Sequence, residues 1–257
     1  MKQFTIKEQF NFWLDKSIII MRNIKIRLKY NTMKKSNTKE QIKIFSHEDF
    51  LYKGRSTSRG FLKLSKKYIG KKVLEIGGGD GSFYTLFKYK YKNKKEIISI
   101  DLVPKFKYVR KGNTTQLNFK DCHFNTVVSS DLIEHLNDRD LDKCLSEINR
   151  VLKNGGLAII NTINKEDFRK TTITCPECGH KFHRYGHRQI FSEDRIKKLL
   201  ENKGFKLIKI RKINLNFYAM STLLTKLIYL FKIDKLLDSS RIDLFFIAEK
   251  VDIVINE

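Results

Sequence analysis

The stretch Val73-Leu74-Glu75-Ile76-Gly77-Gly78-Gly79-Asp80-Gly81-Ser82-Phe83 decides how this chain is read. A short strand, Lys72–Ile76, runs into a glycine turn, and a helix opens behind the turn at Ser82. The glycines let the backbone turn tightly and approach a ligand with no Cβ in the way. A dinucleotide fingerprint, G-x-G-x-x-G counted from Gly77 and Gly79, would require glycine where Ser82 stands. The spacing that fits is E-x-G-x-G-x-G, on Glu75, Gly77, Gly79 and Gly81. An acid just ahead of the turn repels a pyrophosphate and suits a ligand bearing an ammonium group. Asp101 closes the next strand, Glu96–Asp101, where a carboxylate accepts hydrogen bonds from ribose hydroxyls. The two acids together imply a nucleoside without phosphates.

Working outward, strands and helices alternate with short loops. A helix over 60–69 precedes the turn and another, Ser82–Tyr89, follows it. A short strand at Lys107–Arg110 leads into the loop Asn113–Phe119, and Thr126–Ser130 reads as the fourth strand. The helix Asp140–Leu152 places Leu141, Leu145, Ile148 and Leu152 on one face and is expected to stop at Asn154-Gly155-Gly156. Strand Leu157–Thr162 follows. Ser192 caps a further helix with Glu193 and Asp194 in its first turn, and Gly204 ends it. Strands Phe205–Ile213 and Asp243–Glu249 close the pattern. This order predicts an α/β fold: a doubly wound, mostly parallel, seven-stranded Rossmann-like sheet with helices on both faces. The expected organisation is a basic N-terminal extension over 1–60 and one domain over 61–257. Two inserts interrupt that domain, a Cys/His segment at about 165–191 and an apolar helical one at about 216–238.

The chain has 257 residues, with 52 Lys and Arg against 28 Asp and Glu, a formal net charge of +24. A hydrophobic fraction of 41% excludes a disordered chain, and 2 prolines exclude a Pro-rich or collagenous one. Four cysteines in this length do not make a disulfide scaffold and point to a reducing compartment. No secretory signal is visible, and no run approaches the roughly 18 apolar residues that span a bilayer. A soluble, cytoplasmic protein without a transmembrane segment is expected. Residues 1–72 hold 19 Lys and Arg against 5 Asp and Glu, so more than half of the net charge precedes the glycine turn. Polyanion binding and plain compositional bias both remain open as its meaning.

Further motifs extend the pattern in order. They are Ile100-Asp101, Gly112–Phe119 followed by Phe124-Asn125-Thr126-Val127-Val128, Ser129-Ser130-Asp131-Leu132-Ile133-Glu134-His135-Leu136, and Glu147-Ile148-Asn149-Arg150-Val151-Leu152-Lys153-Asn154-Gly155-Gly156. On these residues the chain resembles the class I S-adenosylmethionine-dependent methyltransferases over roughly residues 60–250. The resemblance implies that Glu75, Gly77 and Gly79 lie along the methionine part of S-adenosyl-L-methionine and that Asp101 holds its ribose. Gly81, Leu102, Thr114 and Ser130 complete the implied cofactor-binding set. Many members carry an acid after the third strand for the adenine amino group. Asn113 stands there, and its side-chain oxygen can accept the same bond. His135 is the candidate catalytic base, since its intrinsic pKa suits proton transfer near neutral pH; packing or capping of the next helix is the competing role. The Asn/Asp-Pro-Pro-Tyr type of motif used for amino groups of nucleic acid is absent, which favours oxygen or carbon acceptors.

Cys175-Pro176-Glu177-Cys178 has the knuckle spacing of a zinc ligand pair, with His183 and His187 following at ligand distance. The expected metal set is Cys175, Cys178, His183 and His187, holding a structural Zn2+, with His180 as substitute for either histidine. A redox dithiol and unligated loop residues are the other readings. The segment leaves the carboxyl end of a sheet strand, the edge where ligands bind in this architecture. The favoured function is methyl transfer to a small-molecule, glycan or lipid-intermediate acceptor at oxygen. An RNA methyltransferase and a non-catalytic module binding nucleic acid or a partner protein are the alternatives. The apolar Phe217–Phe231 could pack in the core, cover the site or touch an anionic membrane surface peripherally.

Overall fold

The computed structural model describes residues 55–92, 94–219 and 241–251. The expected N-terminal extension up to residue 54 and most of the apolar insert, 220–238, lie outside the described residues. The rest forms two compact units, the short segment Asp167–Gly186 and a body that carries the sheet.

In the body, α1 (Arg55–Ser65) precedes β1 (Lys72–Ile76), α2 (Ser82–Tyr91), β2 (Glu96–Asp101), β3 (Val109–Lys111) and β4 (Phe124–Ser130). A 3-10 turn, Ile133–His135, leads into α3 (Asp138–Val151) and β5 (Leu152–Ile163). The body's sheet runs β3-β2-β1-β4-β5 with all neighbours parallel. The last strand among the described residues (Asp243–Lys250) pairs antiparallel with β5 and with the strand Phe205–Ile213, giving a seven-stranded sheet.

Each central strand is buried on both faces, so apolar residues alternate between two cores. Leu74, Val127, Ile160 and Phe246 pack with Leu145 and Ile148 of α3 on one side. Val73, Val128, Ile159 and Phe245 pack with Phe61 of α1 and Phe83 and Phe87 of α2 on the other. Full burial of a residue such as Phe61 or Phe87 contributes about 2–3 kcal/mol each. Period-2 alternation sends Glu75 to the α1 side, directly below the glycine turn.

Several boundaries differ from the sequence expectation, and those of α1 and α3 have clear physical reasons. Helix α1 begins at Arg55, five residues before the expected start. Its Gly60 lets the chain cross close to the later helix Leu215–Ala219: a Cβ there would meet the Leu215 carbonyl oxygen at 2.3 Å. Helix α3 starts at Asp138, because the Asn137 side chain accepts from the Asp140 amide at 2.7 Å. It ends at Val151, ahead of Asn154-Gly155-Gly156. Leu152 is already extended, paired with Phe124, and the two glycines serve an irregularity inside β5, with Gly155 at φ 71°.

Candidate active site

Strand order reverses between β1 and β4, one branch running to β2 and β3 and the other to β5. In such a sheet the ligand crevice opens beyond the carboxyl ends of those two strands. The glycine turn occupies one lip. The amides of Gly77 and Gly78 donate to the Ile100 carbonyl at 2.9 and 3.0 Å, which pins the turn to β2. Asp101 then holds two loops at once, accepting from the Gly79 amide at 2.9 Å and the Val103 amide at 2.8 Å. Gly79 has φ 48°, a left-handed conformation, and a Cβ there would meet nothing within 4 Å, so this backbone faces open space. Gly77 and Gly81 also have positive φ, and Gly81 opens α2.

The crevice has about 440 Å³ of open space. Glu75, Asp80 and Asp131 line it, with Gly77, Gly79 and Ser130, and no Lys or Arg does so among the described residues. A chain of charge +24 thus presents an acidic cleft. Burial pushes the Glu75 carboxyl up to about 7, helped by Asp101 and Asp80 nearby and opposed by Ser99. Its Oε2 is buried with no hydrogen-bond partner. A buried acceptor without a donor, beside open glycine backbone and a second carboxylate, suits a cationic nucleoside ligand and disfavours a phosphorylated one. These residues fit the chemistry of S-adenosyl-L-methionine, a nucleoside that carries a sulfonium and an ammonium group and no phosphate.

The other expected cofactor residues are placed unevenly. Leu102 follows Asp101 at the strand end. Asn113 turns inward on its own loop, where its Oδ1 accepts from both the Thr115 amide and the Thr115 hydroxyl. Thr114 is buried and contacts the Cys144 thiol. Sequence reasoning missed three contributors. Thr57 and Ser58 of α1 line the crevice although they precede the expected domain start at residue 61, and Phe61 joins them. Asp131 adopts φ 55° and pairs with Arg241 at 2.5 Å and with the Asn161 amide at 3.0 Å. A non-glycine residue in that region is strained, and a lining residue held there by two partners belongs to a preorganised site.

The third omission is the pair of acids, Glu134 and Glu166, that join the expected residues His135 and His187 in a carboxylate–imidazole cluster beyond β4 and β5. His135 does not cap α3, since Asn137 does, and its ring meets that of His187 with centroids 4.7 Å apart. Glu134 is 1% exposed and accepts from Thr162 Oγ1 at 2.9 Å, while its Oε1 is buried without a hydrogen-bond partner. Burial, reinforced by Asp131, holds its carboxyl well above the usual range. His187 Nδ1 lies 2.5 Å from Glu166 Oε2. The backbone supports this arrangement: the Glu134 carbonyl accepts from the Arg188 and Gln189 amides, and the Lys165 amide donates to the Phe191 carbonyl. The neighbouring pair Glu134-His135 was legible in sequence, but Glu166 gave no local signal.

The Asp167–Gly186 unit contains a short helix (Phe168–Thr171) and a two-stranded hairpin, Thr172–Thr174 with Lys181–His183. Cys175 and Cys178 occupy the hairpin's tip. The Cys175 amide donates to the His180 carbonyl at 2.8 Å and the Gly179 amide to the Cys175 carbonyl at 2.9 Å. The Cys178 amide and thiol, then the Glu177 amide, hold the Cys175 thiol below its ordinary pKa. His183 is engaged within the hairpin unit, with Nε2 2.6 Å from Thr171 Oγ1 and Nδ1 accepting from the Tyr185 amide. His187 belongs to the body, where Glu166 holds it. Among the described residues, no group of three or more closely spaced ligand atoms includes either cysteine.

Residues 50–210 match the family described as a methyltransferase domain. An uncharacterised protein of Methanocaldococcus jannaschii is 33% identical over 151 residues, covering 56% of this chain. The match spans 60% of that relative's own length. Among solved structures, an S-adenosylmethionine-dependent methyltransferase from Archaeoglobus fulgidus superposes with TM-score 0.56 at 22% identity, over 79% of this chain and 100% of the other. The 1,6-didemethyltoxoflavin-N1-methyltransferase of Burkholderia thailandensis, solved with 1,6-didemethyltoxoflavin and S-adenosylhomocysteine, gives 0.58 at 13% identity, over 84% and 87%. The strand order, the acid-led glycine turn and the family match over more than half the chain agree, and the chain belongs to the methyltransferase-domain family with the class I S-adenosylmethionine-dependent fold.

Proposed function

We propose that this protein transfers a methyl group from S-adenosyl-L-methionine to a hydroxyl oxygen of a small-molecule, glycan or lipid-intermediate acceptor in the cytoplasm. The observation that carries the reading is the acidic crevice at the switch of strand order, with a buried carboxylate–imidazole cluster on the same edge of the sheet. The cofactor supplies a methyl group already activated on a sulfonium, so that the carbon passes in line to the acceptor while sulfur keeps the electron pair of the broken bond. The chain's own residues hold the two reactants and receive a proton. A hydroxyl needs that second service. The Burkholderia enzyme, by its name, methylates 1,6-didemethyltoxoflavin at N1, which supports a small-molecule acceptor. Among the described residues no helix is long and apolar enough to cross a membrane.

Incubation of the purified chain with methyl-labelled cofactor and fractionated cell extract tests this reading. Label is expected in a metabolite, glycan or lipid fraction, as a base-stable methyl ether. Label in RNA selects the nucleic-acid alternative. No incorporation, with salt-sensitive RNA affinity, selects a non-catalytic binding module.

For the Asp167–Gly186 unit, the knuckle geometry and the lowered Cys175 thiol support a structural Zn2+ held by Cys175 and Cys178. His180 becomes the histidine best suited to join them, since His183 and His187 have other partners. The purified protein is then expected to carry about one zinc per chain. Cys175→Ser should lose it and melt roughly 2–4 °C lower, as a loss near 1 kcal/mol does in a chain of about this length. Metal analysis without zinc, together with an unchanged melting temperature, would remove this assignment.

A further inference from the structure

We propose that Glu134, His135 and His187 form a divalent-cation site of the Mn2+, Fe2+, Co2+ or Zn2+ class, which chelates two neighbouring oxygens of the acceptor. One ligand atom from each of the three lies within 4.8 Å of the other two. Ligands about a bound ion are roughly 3–3.5 Å apart, so a closure of at most about 1.8 Å per pair completes the set. The buried Oε1 of Glu134 has no hydrogen-bond partner, while Thr162 Oγ1 fixes the other oxygen at 2.9 Å. A cation satisfies that buried oxygen.

The surroundings have the form of a second shell. The Glu166 carboxylate on His187 Nδ1 sets the tautomer in which Nε2 carries the lone pair, as carboxylates behind metal-binding histidines do. The bonds from the Arg188 and Gln189 amides to the Glu134 carbonyl fasten the two ligand-bearing segments side by side. Gln189 is itself fixed by bonds from its Nε2 to the Leu136 carbonyl and Asp138 Oδ1, both 3.0 Å. Two imidazoles and one carboxylate favour a transition metal over Mg2+ or Ca2+.

Three protein ligands leave positions open for acceptor oxygens, and a bound hydroxyl gives up its proton at lower pH than a free one. The acceptor class is therefore a vicinal diol, catechol or α-hydroxy acid. The inference rests on the proposed methyl transfer only for this acceptor class; the cation site stands on its own geometry.

The test uses the full chain, stripped with chelator and titrated with Mn2+, free ion being read by electron paramagnetic resonance. One site per chain is expected, unchanged in the Cys175→Ser/Cys178→Ser double variant because thiolates select softer metals. Glu134→Gln and His187→Ala should weaken it at least 30-fold, and Glu166→Gln roughly 10–100-fold. All should keep S-adenosylhomocysteine binding within threefold; if Glu134→Gln does not fold, His135→Ala takes its place. Catechol should displace water from the bound Mn2+, and resorcinol should not. The site is overturned if wild-type protein binds no Mn2+, if binding survives these substitutions, or if it vanishes in the double cysteine variant. Equal effects of catechol and resorcinol overturn the acceptor class. Loss of Mn2+ binding alone leaves methyl transfer standing, whereas failure to bind S-adenosylhomocysteine removes that reading and not the cation site.

Discussion

Asp101→Ala is expected to weaken S-adenosylhomocysteine binding by roughly 100-fold or more. We propose that the Asp101 carboxylate accepts from ribose hydroxyls, and each hydrogen bond to a charged acceptor contributes about 1.5–3 kcal/mol. The same side chain also accepts from the Gly79 and Val103 amides, so its removal frees the glycine turn from the loop after β2. Loss of ligand contacts and loss of turn order act in the same direction. Asp101→Asn retains one acceptor oxygen and should fall between the two proteins, about tenfold weaker than wild type. Calorimetric titration reads all three. An alanine variant that binds within threefold of wild type would show that Asp101 organises the turn without touching the ligand.

Acidification from pH 7.5 to 5.5 should weaken the same complex by roughly 30-fold, at up to tenfold per pH unit below 7. Glu75 is raised from 4.5 to about 7 because it is buried near Asp101 and Asp80. The ligand's ammonium group prefers the ionised carboxylate, so protons and ligand compete. Stability of the ligand-free protein runs the other way. A carboxyl whose folded pKa exceeds its unfolded one contributes stability that is fully present below pH 4.5 and is lost as pH rises through 7. That loss is about 3 kcal/mol at the upper end. Glu134, also raised, adds to the same trend. Glu75→Gln separates the two groups: its binding should be weaker at pH 7.5 and nearly flat down to 5.5. A slope in the glutamine variant equal to that of wild type would place the titrating group elsewhere.

The acidic crevice recasts the charge of the chain. A net +24 suggests polyanions, yet Glu75, Asp80 and Asp131 line the candidate cofactor site. Composition sums over the surface, whereas the field at a site depends on the few charges nearest it. Residues 1–72, which carry +14 of that total, lie mostly outside the described residues.

By itself the sequence determined the seven-stranded α/β order, the acid-led glycine spacing and the carboxylate ending β2, and the strand Phe205–Ile213 occurs with the expected bounds. These are local facts. Strand period, positive-φ glycines and a helix cap such as Ser192 depend on neighbours within a few residues. It misjudged Asn154-Gly155-Gly156 because a glycine pair suits a helix stop and a strand irregularity equally well, and only the pairing of Leu152 with Phe124 chose between them. Tertiary structure alone decided the partners of His187. Spacing grouped it with Cys175 and Cys178, but the folded body sets it on Glu166, 21 residues earlier, and against His135. Those contacts exist because the carboxyl ends of β4 and β5 lie side by side in the sheet, and strand adjacency is a property of the assembled sheet that no local spacing encodes.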